Sequence, residues 1–258
     1  MVRLSTGAVD FIVQYGSFKR AFVNGKMELR TGGQPSTADA AATGTVVMTA
    51  TLASGAHTVE VRPAGSVTLT GTSGTVTSIT FAGFEILGAT ITFDTSLTVT
   101  AALVAAQINK YCSRGCAEAY AESSGAKVTI YLVQGTGAVT GAIVTTVSGG
   151  DLGKSDVNMG TEVTGVTPVN GLGFGLVSGG VLQKDGVWSG VAGSTASVGW
   201  FRLKGSITDD DSLSTTLIRM DGNCGGVGSD LVMATTSLVS GNTYSIDAGG
   251  ITLPKFAS

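Results

Sequence analysis

The sequence predicts a mainly-β protein, a β-sandwich interrupted by a small inserted α+β domain of ββαββ type. Three observations predict it. The chain holds 39 glycines but only 4 prolines and shows no Gly-X-Y period, so its glycines mark turns rather than a collagen helix. Its hydrophobic share, 43%, leans on Ala and Val interleaved with Thr and Ser, the mixture of short, half-buried strands. The last third carries candidate strands at roughly the 8 to 12 residue spacing of a sandwich or barrel, whereas the middle holds one clear helical period. A chain of 258 residues can bury the core such a fold needs. No segment repeats at a shift of roughly 20 to 50 residues, which disfavours a regular β-solenoid.

At the start, Ala8, Phe11, Ile12 and Tyr15 fall on one helical face, with Ser5 or Thr6 as N-cap and Gly16 as the stop. Ser17 can cap one further turn, FKRAFV. Asn24-Gly25 is a strong turn signal that launches KMELR, where Met27 and Leu29 alternate with Lys26, Glu28 and Arg30. That alternation predicts a strand with one wet face. In TGGQPSTADAAATGT, Gly32, Gly33 and Pro35 are expected to set a turn, Asp39 to cap a short helical turn through Ala42, and Gly44 to end it before TVVMTATLA. This segment should be ordered, and Gly32, Gly33, Gln34, Pro35 and Asp39 make it a candidate interface loop.

From about residue 59 short strands broken by Gly follow one another, with AGFE as the tightest turn. Leu97, Ala101, Val104, Ile108 and Tyr111 then share a helical face, capped by Thr98 or Thr100. AEAYAES and KVTIYLV read as a hairpin around SGA, and the Gly-rich SGGDLGKSDVNMGTEVTG leads out. The inserted domain is therefore placed at 59–165, and the sandwich at 1–58 plus 166–258. Candidate strands of the last section are FGLVSGGVLQKDG, ASVGWFRLKG, TTLIRMDGN, DLVMATTSLVSG, NTYSIDA and ITLPKF.

Chemistry is sparse. A net charge of −3 with no Lys/Arg cluster interleaved with aromatics gives nucleic-acid binding no support. No stretch reaches the roughly 18 uncharged apolar residues of a membrane span, and the N-terminus lacks the apolar core of a signal peptide, so a soluble product of a cytoplasm is expected. His57 is the sole histidine and lacks the context of a nucleophile's base; it reads as an isolated surface residue. Asp209, Asp210 and Asp211 read as an exposed acidic turn, since three adjacent carboxylates cannot all face one cation. GLGFG lacks the helix and Lys of a phosphate loop and reads as a flexible junction. Trp188, Trp200, Phe201 and Tyr244 read as core, with a sugar-stacking platform as the rival. No catalytic residue, metal ligand or cofactor is assigned. Cys112, Cys116 and Cys224 read first as inert buried thiols; alternatively Cys112 and Cys116 close a small disulfide loop, leaving Cys224 for an interchain bond.

The two ends of the chain carry a resemblance. RLSTGAVDFIVQYGSFKRAFVNGKMELRTGGQPSTADAAATGTVV resembles the N-terminal signature of a family of tailed-bacteriophage virion proteins, in which RLSTG, a GSFK..F.NG segment and TG.QP..AD.A.TGT occur in this order. VWSGVAG…VGWFRLKG, IRMDGNCGGVGSDLVM and SLVSGNTYSIDAGGITLP are similar to its C-terminal half. The middle block resembles a module inserted in phage structural proteins, from which CSRGC departs. The resemblance implies a non-enzymatic virion component, an accessory protein of the capsid surface, neck or collar, or tail exterior, whose partners are copies of itself and other virion proteins. A receptor- or carbohydrate-binding adhesin of a tail appendage is the alternative.

Overall fold

The structure, a computed structural model, describes residues 1–113, 118–178, 181–246 and 250–252. The fold is mainly β and sandwich-like, with several largely antiparallel sheets. It divides into two compact units, Met1–Val59 with Pro168–Ser258, and Glu60–Thr167; the sequence-derived borders lie at 58/59 and 165/166. Among the described residues no helix is long and apolar enough to cross a membrane.

The first unit opens with a helix at Thr6–Tyr15, where the Ser5 side chain accepts from the Ala8 N–H and Gly16 closes the C-terminus. A second helix, Phe18–Phe22, is capped by Ser17. The main sheet runs in the order Arg3–Leu4, Arg219–Gly225, Trp200–Lys204, Lys26–Arg30, Val46–Leu52, Trp188–Val191, Thr243–Ile246, with Leu231–Val232 added in parallel to Arg219–Gly225. Register gives its central strands two distinct faces. One carries Met220, Leu203, Met27 and Ala50 in a row, beside Gly222, Phe201, Leu29 and Met48. With Ala8, Phe11, Phe18, Ala21 and Phe22 these residues form the unit's apolar core. The opposite face is not wet, contrary to the alternation in KMELR: Glu28 and Arg30 are 4% and 5% exposed.

The inserted unit holds two four-stranded antiparallel sheets and one long helix. One sheet joins Ile143–Ser148, Thr75–Phe81 and Phe84–Glu85, with Ile91–Thr92 also on Thr75–Phe81; the other runs Gly153–Val157, Ala64–Thr70, Lys127–Leu132, Ala119–Ser124. The AGFE turn forms at Ala82 and Gly83, both at positive φ. The helix spans Leu97–Tyr111 and is capped by Ser96, not Thr98 or Thr100; Thr100 is buried, accepting from Asp94 N–H and donating to the Ser96 carbonyl. Val67, Ile79, Val104, Ile108, Val128 and Ile130 anchor its core. The Gly-rich exit adds the strand Gly153–Val157 to the second sheet, after Ile143–Ser148, with Ile143 and Thr145 buried, has joined the first.

Candidate functional site

The candidate interface loop is a strap that leaves the sheet after Arg30 and returns at Val46. Its neck is closed by Thr31 N–H to the Thr45 carbonyl (3.0 Å) and Thr45 N–H to Thr31 Oγ1 (3.0 Å). Gly44 permits that closure: its φ is +66°, and a Cβ there would lie 2.0 Å from the Thr31 carbonyl oxygen. Gly32 and Gly33 are exposed, and Gln34 is half-buried. Pro35 is buried, and its carbonyl accepts from the Arg3 guanidinium, so it offers no free surface. Asp39 caps no helical turn of its own. A reverse turn closes from Ala40 N–H to the Thr37 carbonyl, and the Asp39 carboxylate instead accepts from Thr6 N–H (2.8 Å) and Thr6 Oγ1 (2.7 Å). The reason is positional: Thr6 N–H is one of the unpaired donors at the start of the first helix, whose positive end favours a carboxylate.

Beneath the strap lies a layer of buried charge. Three rows cross the sheet: Arg219, Lys204 and Lys26; Asp221, Arg202 and Glu28; Asn223, Trp200 and Arg30. Arg202 Nε and Nη2 reach the two Asp221 oxygens at 2.8 Å each, with neither side chain exposed. Lys204 Nζ lies 2.9 Å from Glu28 Oε1 and 2.8 Å from Asp211 Oδ2, and Arg30 Nη2 lies 2.7 Å from Glu28 Oε2 and also pairs with Asp211. Arg219 forks onto Asp209 through Nε (2.7 Å) and Nη2 (2.6 Å). Four cations, Arg30, Arg202, Lys204 and Arg219, thus meet four carboxylates, Glu28, Asp209, Asp211 and Asp221, with Lys26 at the rim.

The acidic turn is accordingly not an exposed loop. Asp210 faces solvent with Ser212, but the Asp209 side chain is 3% exposed and Asp211 reaches three cations. The strap supplies backbone acceptors: Arg202 Nη2 donates to the Ala40 carbonyl at 3.0 Å. Strap and turn are joined by Ala42 N–H to the Asp211 carbonyl and Ser214 N–H to the Asp39 carbonyl, both 2.9 Å.

Burial alone would raise Glu28, but Lys204, Arg30 and Lys26 overcome it and hold its carboxyl down at about 2. Burial would likewise lift Asp209, and the Arg219 guanidinium with the Asp211 N–H keeps it below the usual carboxylate range. Desolvation opposes charge on both members of the Arg202–Asp221 pair and lifts Asp221, whereas the two short hydrogen bonds from Arg202 to Asp221 and the nearby Asp211 and Asp209 raise Arg202 against it.

The other residues singled out in the sequence lie apart. His57 is half-buried rather than isolated on the surface, with Nε2 3.0 Å from the Asn24 carbonyl. GLGFG is no loose junction: Leu172 is fully buried, donates to the Gly25 carbonyl and accepts from Asn24 N–H. Trp188, Trp200 and Phe201 are buried and Tyr244 is half-buried, so they form no open stacking platform. Among the described residues no group of three or more His, Cys, Asp or Glu side chains is arranged to hold a metal ion. No family model, curated protein or solved structure matches the chain.

Cys112 is buried in the inserted core with Sγ 3.7 Å from the Ile86 carbonyl, while Cys116 lies outside the described residues. Cys224 is a partly buried free thiol that burial, and then Asp230, push up to about 12. Little thiolate is present there at neutral pH. Brief alkylation of the native protein at pH 7.5 should therefore leave the Cys224 peptide unlabelled in mass spectrometry, and denaturant should expose it. Labelling at the rate of an open thiol, or a dimer on a non-reducing gel that vanishes in Cys224→Ser, would restore the interchain bond.

Proposed function

We propose that the chain is a non-enzymatic structural subunit of a tailed-phage virion, an accessory protein of the capsid surface, neck or collar, or tail exterior, made in the bacterial cytoplasm and acting through subunit contacts. The observation that carries this reading is the placement of side chains. Acidic and basic groups of the main sheet neutralise one another internally, whereas large apolar side chains stand exposed on edge strands and loops: Leu176 is 85% exposed, Phe84 74%, Leu213 74% and Val227 102%. Such side chains suit packing contacts between subunits and have no use in a reaction centre.

Contacts through the inserted unit would use side chains and loops rather than added strands. Asn109 takes both the N–H and the carbonyl of Ala121 on one outer strand. Asn158 and Asp156 accept from Ile143 and Thr145 N–H on another, so these edges are covered. The order of motifs at the two ends, with its resemblance to virion proteins, supports the same reading. Light scattering of the purified protein and co-sedimentation with isolated heads, necks and tails test it. Self-association or capture by one subassembly is the expected result, with antibody decoration marking the place on the particle. A monomer that binds none of them would sink the proposal, and selective glycan binding by that monomer would establish the adhesin instead.

A further inference from the structure

We propose that segments 35–42 and 209–214 form an electrostatic latch, a cover held onto the main sheet by charge rather than apolar contact and released by acid as a local unit while the strands beneath stay folded. The register of the sheet makes the cover necessary. Lys26, Lys204 and Arg219 stand directly opposite one another on three adjacent strands, a row of like charges that is unfavourable by itself. Asp209 and Asp211, with Glu28 from the neighbouring row, supply the compensating charge. The cover contributes little apolar surface in return: Pro35 and Ala38 are buried, whereas Leu213 is 74% exposed.

Its remaining attachments are hydrogen bonds. Arg202 reaches Ala40, Arg219 Nη1 reaches the Ser212 carbonyl at 2.7 Å, and strap and turn bond each other. The strands keep their own ladders and the apolar core on their other face whether or not the cover is present. Low apolar contact and dependence on a few charges define a segment that opens below the global unfolding free energy.

The charged groups facing the layer are Lys26, Glu28 and Arg30 from one strand, Arg202 and Lys204 from the next, and Arg219 and Asp221 from the third. Asp209 and Asp211 face it from the turn, and Arg3 from the edge strand holds Pro35. Asp39 is turned to Thr6 and Asp210 to solvent. Glu28 and Asp209 are held below their ordinary values, so the stability they give is present above those ordinary values and is lost as pH falls through the lowered ones, for Glu28 between about 4.5 and about 2. Asp221, lifted by burial, runs the other way and offsets part of the loss. The inference goes beyond the virion reading and holds without it.

Hydrogen exchange of the full chain, corrected for intrinsic rates and read peptide by peptide, tests the latch. Between about pH 5 and pH 3, protection of 35–42 and 205–217 should fall at least about tenfold, while strands 26–30 and 200–204 keep theirs. At pH 7, Asp209→Asn should open the same peptides, and Asp210→Asn, altering the solvent-facing carboxylate, should leave them closed. Cover and strands losing protection together, a cover still closed near pH 2, or Asp209→Asn behaving as wild type would each overturn the proposal.

Discussion

Replacing Arg202 by Met is expected to destabilise the sheet unit by about 3–5 kcal/mol, and adding Asp221→Leu to recover most of that loss. Both side chains are fully buried, and the carboxylate has its two hydrogen bonds from this one guanidinium. Removing Arg202 leaves the Asp221 carboxyl buried without either of its two hydrogen-bond donors, which is the costly state. Removing both leaves apolar side chains of similar volume, whose burial is favourable. The Ala38 and Ala40 carbonyls still lose their donor, so recovery should stop short of wild type. Urea unfolding followed by tryptophan fluorescence reports this unit specifically, since Trp188 and Trp200 both lie in it. A double-mutant cycle then gives the coupling directly. An Arg202→Met loss below about 1 kcal/mol would mean that water reaches the pair and that the layer is not sealed.

This layer is also where reading the sequence as a pattern fails, and the reason is physical. KMELR, FRLK and IRMD each alternate apolar with charged residues, and alternation is the pattern of a sheet with one face in water. It is equally the pattern of a sheet whose second face buries paired charge. The distinction depends on register, which sets Arg202 between Glu28 and Asp221, and on a turn roughly 170 residues along the chain from the strap it joins. A signal was present: only 13% of the chain is charged, yet these three strands and the DDD turn mix both signs at close spacing. Local features were legible where the chemistry is local. Ser5, Ser17 and Gly16 cap the first helices as their types suggest, and Asn24-Gly25 turns into KMELR. Asp39 was not legible as the acceptor for Thr6, because its partner lies 33 residues back along the chain.

The second large effect concerns Glu60 and is confined to the inserted unit. Glu60 is 2% exposed, and its carboxylate gathers the Gly135 N–H at 3.0 and 2.8 Å and the Gly137 N–H at 2.8 Å, pinning the loop that follows strand Lys127–Leu132. Glu60→Ala removes the acceptor shared by the N–H of exposed Gly135 and the N–H of buried Gly137, and the loss of these charge-assisted hydrogen bonds costs about 2–4 kcal/mol. Glu60→Gln is expected to fall between, because its amide keeps one acceptor oxygen and turns an NH₂ toward donors. The inserted unit has its own core around Val67, Ile79, Ile108 and Ile130, so the loss should stay there. In hydrogen exchange, protection of Ala64–Thr70 and Lys127–Leu132 should drop by a factor of about 30 to 1,000, the equivalent of that free energy, while Lys26–Arg30 and Trp200–Lys204 keep theirs. If all four strands lost protection in parallel, the two units would unfold as one cooperative body, and the insertion could not be treated as a module with its own stability.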